Sequence, residues 1–247
     1  MARIKFMNTQ IDNLTMEEAL QAIDSLIKEN KSAYVVTPNV DHIVRLETNK
    51  ELQVVYAGAS LILADGKPLQ WIAKWYGTPI KEKISGSDLF PLLCRMSAEK
   101  GYRMFFLGAA EGVAAKAAEN LTGRYRGLQV AGTYSPPFGF EKDEKEMARI
   151  ENLIKEAQPH ILIVGLGCPK QELFILHSKD KLGVPVSLGL GASLDFEAGL
   201  IKRAPKWMSN HGLEWLFRIT QDPKRMAKRY LVDDAAIFRL VLKYKKP

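Results

Sequence analysis

Cysteine is scarce in this chain. Cys94 and Cys168 are the two in 247 residues, they sit in unrelated contexts, and the four histidines are scattered. That leaves neither a disulfide framework nor a zinc-ligand spacing to read. No apolar run reaches the roughly 18 residues that a bilayer-spanning helix needs. No early apolar segment lies between basic residues and a cleavage site, so no signal peptide is expected. Asp-x-Asp is missing, and with it the usual carboxylate pair that holds a divalent ion against a nucleotide diphosphate. Asp195-Phe196-Glu197 is the nearest substitute, and strand-end acids of that kind also cap helices. Two Gly-x-Gly turns, Gly165/Gly167 and Gly189/Gly191, lack the third glycine of a dinucleotide fingerprint, because Lys170 and Leu194 stand there. An NAD site is therefore weakly supported.

What is present is enough for one large domain, or one domain plus an appendage: 47% of the residues are hydrophobic. The net charge is +7, and its distribution says more than its size. Residues 201–247 hold 12 Lys/Arg against 4 Asp/Glu, so the whole excess belongs to the tail. A localised excess suggests an anionic surface or ligand: acidic lipid, nucleic acid or a diphosphate. A solvated helix face is the plainer alternative.

Along the chain, helical and extended patterns alternate. Strands are expected at residues 4–7, 33–36, 61–64, 103–107, 128–134, 160–164 and 184–188. Helices are expected after Thr15, over 40–47 and 51–58, near 68–76, over 89–100, through 113–121, over 141–157 and after Lys170. This order argues an α/β fold with a mostly parallel sheet and helices on both faces. Composition turns basic and aromatic near Gly199–Arg203, which divides an α/β body, residues 1–200, from a basic helical C-terminal appendage, residues 201–247. In that appendage Met226, Tyr230, Ile237, Val241 and Tyr244 recur near helical spacing with Lys and Arg between them. Such a helix can lie in a membrane interface or pack on its own domain.

The stretch Leu61-Ile62-Leu63-Ala64-Asp65-Gly66 carries the sharpest chemical signal. An apolar run ends in a carboxylate and a glycine, and Pro68 follows at a helix start. Ligands of open parallel sheets bind beyond the strand ends, so Asp65 is a candidate general base; a helix cap is the other reading. Thr37 and Asn39, at the end of the preceding strand, are either ligand contacts or a turn and cap. Lys170 and Gln171 open a helix after the first Gly-x-Gly turn, where they could meet phosphate or sugar hydroxyls.

Taken together, Thr37-Pro38-Asn39, Ala64-Asp65-Gly66, Gly86-Ser87-Asp88-Leu89, Gly165 to Glu172, and Arg203-Ala204-Pro205 with Gly212-Leu213-Glu214-Trp215, Pro223 and Arg225 resemble the WecG/TagA/CpsF glycosyltransferase family. The matches keep their order over nearly the whole chain. The resemblance implies a Rossmann-like fold and an inverting transfer of N-acetylmannosamine from UDP-N-acetylmannosamine to the 4-hydroxyl of N-acetylglucosamine on undecaprenyl diphosphate, a step toward wall teichoic acid. It implies Asp65 as the base, Thr37 and Asn39 beside it, and Gln171 on the nucleotide sugar. Arg218, Arg225 and Lys228 would close over the diphosphate from the tail. Lys83 stands where relatives usually carry arginine; like Lys228, it keeps the charge and lacks the planar fork. No metal or other cofactor is implied. The expected partners are the UDP-sugar, the lipid-linked acceptor and an anionic membrane surface on the cytoplasmic side, with no nucleic acid; self-association stays open. Another donor, UDP-mannosaminuronic acid or a UDP-hexose, is the main alternative. A nucleotide-dependent oxidoreductase and a nucleic-acid-binding module are the rivals from other classes.

Overall fold

The computed structural model describes residues 3–245. In chain order the elements are β1 (Arg3–Phe6), β2 (Thr9–Asp12), α1 (Met16–Glu29), β3 (Ala33–Val36), α2 (Val40–Leu46), α3 (Lys50–Gly58), β4 (Leu61–Ile62), α4 (Lys67–Trp75) and α5 (Gly86–Lys100). They continue with β5 (Arg103–Gly108), α6 (Val113–Arg124), β6 (Gln129–Tyr134), α7 (Glu144–Ala157), β7 (Ile161–Gly165), α8 (Lys170–Leu182), β8 (Val186–Gly189) and α9 (Ser193–Glu197). The tail holds α10 (Lys206–Asn210), α11 (Glu214–Gln221), α12 (Pro223–Lys228) and α13 (Ile237–Tyr244), with a π turn at Arg229–Asp233. Mixed α/β architecture with parallel strands flanked by helices is therefore what the chain forms.

Two compact units share the chain. Among the described residues, one takes in residues 3–16, Thr37–Ser85 and residues 202–245; the other holds Glu17–Val36 and Gly86–Ile201. The basic tail thus packs in the same unit as the Asp65 segment.

The second unit contributes five strands in the order β3-β8-β7-β5-β6, each adjacent pair parallel. Its central strands are apolar and buried without alternation, as strands covered on both faces must be. Two glycines there answer to close backbone approach. A Cβ on Gly108 would lie 2.5 Å from the Gly165 carbonyl oxygen, and one on Gly165 would lie 3.0 Å from that of Gly191. Gly165, the first glycine of the first Gly-x-Gly turn, is thus required by packing before any ligand is considered, whereas Gly167 and Gly191 have open space for a Cβ and answer to positive φ, 77° and 53°.

In the first unit a hairpin of β1 and β2 holds β4 in place. Arg3 forms a two-pronged pair with Asp12, Nε and Nη2 each 3.0 Å from a carboxylate oxygen. Asp12 is buried, and its Oδ2 also accepts from the Ile62 N–H at 2.9 Å. The Arg3 Nη2 reaches on to the Ser60 carbonyl at 3.1 Å.

Some boundaries differ from the sequence expectation. β2 was not anticipated, because Thr-Gln-Ile-Asp is too polar to read as a strand without its Arg3 partner. α5 begins at Gly86, so Gly86-Ser87-Asp88 form its first turn and not a leader to it. α7 begins at Glu144, where Asp143 caps it by accepting from the Lys145 and Glu146 N–H groups. β8 begins at Val186, after a proline that cannot donate to a ladder. β4 is only two residues long; the backbone beyond it bonds to loops, as described below.

Replacing Asp12 with alanine leaves Arg3 unpaired and the buried Ile62 N–H without its acceptor. The expected cost is about 2–4 kcal/mol, read as a lowered urea midpoint.

Candidate active site

Three segments of the first unit are stitched together around Asp65. The Asp65 N–H donates to the Pro38 carbonyl at 2.8 Å, and the Ile84 N–H donates to the Ala64 carbonyl at 2.8 Å. These bonds satisfy the backbone where the β4 ladder stops. Gly66 is the residue that caps α4; its φ of 105° suits glycine alone, and no side chain caps that helix. Asp65 is therefore not the cap, and its carboxylate is left to the space it faces. Asn39, by contrast, does cap α2, accepting from the His42 N–H, and its Oδ1 lies 2.9 Å from His42 Nδ1.

Asp65, Asn39 and Lys83 line one cavity of about 540 Å³ with Glu214, Arg218, Arg229 and Asp234. Its lining also includes Trp71 and Ile72 of α4, and Trp215, Tyr230, Ile237, Phe238 and Val241 of the tail. Gly212 fixes one corner. A Cβ there would lie 2.4 Å from the Trp71 ring, and φ is +71°, so the turn into α11 seats directly on that indole. At the far end, the Tyr76 hydroxyl donates to the Val241 carbonyl at 2.7 Å, and Lys243 pairs with Glu47.

Charge in this cavity is arranged in opposed sets. Burial pushes the Asp65 carboxyl up to about 6, and the nearby Glu214 adds to the rise; Arg218, Lys83 and His42 pull the other way. Arg218 donates from Nη2 to Glu214 Oε1 at 2.8 Å. Burial opposes its charge, but Tyr230, Glu214 and Asp65 together hold its guanidinium above its ordinary value, so it stays cationic. Arg229 ties the tail to α2: Nη2 lies 3.4 Å from Asn39 Oδ1 and 3.6 Å from Asp41 Oδ2. Burial also pushes Asp234 up to about 6, against the pull of Arg229.

The remaining expected site residues lie elsewhere. Thr37 is buried at the end of β3. Arg225 is exposed and pairs with Asp222 at 2.6 Å, and Lys228 is exposed on the same short helix; neither lines the cavity. Gln171 belongs to the second unit, where its side chain is buried. Its Oε1 accepts from the Gly167 N–H at 3.2 Å and the Gly191 N–H at 3.0 Å, while Nε2 donates to Glu172 at 2.7 Å. One amide thus joins both Gly-x-Gly turns. The tail stripe is also partitioned by the fold. Met226 and Ile237 are buried, Tyr230 and Val241 line the cavity, and the Tyr244 hydroxyl donates to Glu47 at 3.0 Å. The large apolar side chains the tail exposes are others: Trp207, Trp215, Leu216, Leu231, Val232, Phe238 and Leu242.

One cavity thus gathers a carboxylate from the end of a strand, side chains of both charges and a set of apolar rings. The family model of the Glycosyl transferase WecG/TagA/CpsF family matches residues 4–247. The chain belongs to the WecG/TagA/CpsF glycosyltransferase family. It is similar to an N-acetylglucosaminyldiphosphoundecaprenol N-acetyl-beta-D-mannosaminyltransferase of Bacillus spizizenii (strain ATCC 23059 / NRRL B-14472 / W23), 35% identical over 199 residues, 81% of this chain and 75% of that protein. A Bacillus subtilis (strain 168) protein of the same name is 29% identical over 220 residues, 89% of this chain and 83% of its own. This glycosyltransferase is accordingly an enzyme of the hexosyl-transferring kind. Arg229, Asp41, His42 and Asp234 are not among the site residues expected from the sequence. Glu214 and Trp215 had been noted only as part of a motif. None of these carries a local pattern that marks it; they meet through space.

Gln171→Ala in this glycosyltransferase removes the acceptor shared by two turn amides. An expected loss of about 1–3 kcal/mol appears in urea unfolding, whereas a residue that only touched donor would change donor KM and leave the midpoint in place.

Proposed function

We propose that this enzyme moves N-acetylmannosamine from UDP-N-acetylmannosamine to the 4-hydroxyl of N-acetylglucosamine on undecaprenyl diphosphate, with inversion and without a metal. The observation that carries the reading is Asp65, lining a cavity that it shares with Lys83, Arg218 and Arg229 and with a set of apolar side chains. The names of the two Bacillus relatives supply the acceptor and the sugar.

Asp65 takes the proton from the acceptor hydroxyl as that oxygen forms a bond to the anomeric carbon. The bond from that carbon to the diphosphate oxygen breaks on the opposite face, and UDP leaves with the electron pair. Arg218 and Lys83 stabilise the charge that builds on the diphosphate. The apolar wall of Trp71, Ile72, Phe238 and Val241 suits the first carbons of the lipid. Exposed Trp207, Leu231, Phe238 and Leu242 of the tail, with lysines and arginines among them, and exposed Trp71 and Trp75 of α4 suit this unit to the surface of an anionic membrane. Among the described residues no helix is long and apolar enough to cross a membrane.

Asp65 works only when ionised. With its carboxyl near 6, kcat/KM falls as pH drops below about 6. Stability moves the other way for this group. The folded chain keeps the proton between about 3.8 and 6, so the group's stabilising contribution is whole below 3.8 and gone once pH rises past 6. Acid therefore silences this carboxylate without loosening the fold through it.

Turnover with a short-chain lipid acceptor, followed by mass spectrometry across a panel of UDP-sugars, tests the reading. UDP-N-acetylmannosamine is expected to lead the panel, and Asp65→Asn to lose roughly 10²–10⁴-fold in rate. A variant within a few-fold of the parent removes Asp65 from the role of base. Because Asp234 titrates in the same range, the acid limb should persist in Asp234→Asn. Sedimentation with anionic vesicles is expected to carry down the parent and to weaken in Phe238→Ser/Leu242→Ser; no binding to vesicles ends the membrane reading.

A further inference from the structure

Glu214 is a carboxylate in a cavity that would be expected to receive a diphosphate. A bare acid there would repel the donor, so its presence needs a reason. Its Oε1 accepts from Arg218 Nη2 at 2.8 Å, one turn along α11, and its Oε2 lies 3.4 Å from the Ser209 hydroxyl. Both side chains of the pair are about a quarter exposed, 27% each. The helix that carries them is seated by the Gly212 turn against Trp71, so the pair has little freedom to drift. Asp65, Glu214 and Arg218 all line the same cavity.

We propose that Glu214 is a positioning residue for transfer: it holds the Arg218 guanidinium at the cavity wall for the diphosphate and keeps a second negative charge beside Asp65. The proposal rests on the reading of Asp65 as the base. The first role follows from geometry. Glu214 engages the guanidinium through Nη2, which fixes the orientation of that planar fork at the cavity wall. The second role follows from the charge set around Asp65. Glu214 and Arg218 face it from α11, Lys83 from the loop before α5, and His42 from α2, with Arg229 and Asp234 elsewhere in the same cavity. Glu214 offsets the cations, which would otherwise make Asp65 a weaker base at the moment it must accept a proton.

Two variants separate the roles. Glu214→Gln keeps an oxygen for Arg218 and removes the charge; Glu214→Ala removes both. With UDP-N-acetylmannosamine and a short-chain lipid acceptor, the acid limb of kcat/KM is expected to move down by roughly 0.5–1 pH unit in both. Donor KM is expected to rise roughly tenfold in Glu214→Ala and much less in Glu214→Gln. A limb that stays put in both variants overturns the proposal, and so does a donor KM in Glu214→Ala within twofold of the parent. Should Glu214→Ala fail to fold by thermal melt, the limb of Glu214→Gln decides alone. Asp65→Asn run beside them keeps the two ideas apart. Its inactivity with an unmoved limb in the Glu214 variants sinks only this proposal, while its activity sinks the base.

Discussion

A single buried carboxylate, Asp12, fixes the position of the strand on which the candidate site depends. Burying an anion is costly unless its lone pairs are taken up. Here Arg3 takes both oxygens and the Ile62 N–H shares one of them. The bond to Ile62 sets where β4 runs, three residues before Asp65. Beyond the ladder the Pro38 carbonyl receives the Asp65 N–H, and the left-handed Gly66 turns the chain into α4. The candidate base is therefore held by backbone and ion pair on its N-terminal side and by a glycine turn on the other. Its own carboxylate is not used in holding it.

The tail completes this unit electrostatically. α11 brings a cation and an acid, and the π turn brings Arg229 to the cap of α2. Desolvation is the largest influence on Asp65 and raises it; the surrounding cations only moderate that rise. The outcome near 6 is a carboxylate that is ionised at neutral pH and still basic enough to share a proton in a transition state. In the second unit Gln171 plays a comparable holding part, fastening two glycine turns through one oxygen.

Much of this was legible in the chain. Alternation of helical and extended patterns gave the order of nearly all elements, and an apolar run closed by Asp65-Gly66 marked the strand end. Charge counting located the basic excess in residues 201–247. The hairpin strand β2 was not legible, because its polar Asp12 is buried only by virtue of Arg3. Arg225 and Lys228 looked equivalent to Arg218 in the sequence, yet they are solvent-exposed on α12 while Arg218 faces the cavity. Helical spacing made one stripe of the tail; the fold turned that stripe inward and left Leu231, Val232, Phe238 and Leu242 outside.

By itself, the sequence determined what depends on near neighbours: element type, the turn point at Gly66, and the local density of charge. These follow from periodicity and backbone sterics over a few residues. Only the tertiary structure decided which charges share a cavity, which carboxylate is desolvated, and which aromatic rings form its wall. Coulomb energy and desolvation depend on distance through space and on what excludes water. Asp65 and Glu214 are far apart in the chain, so no local pattern could have announced their meeting.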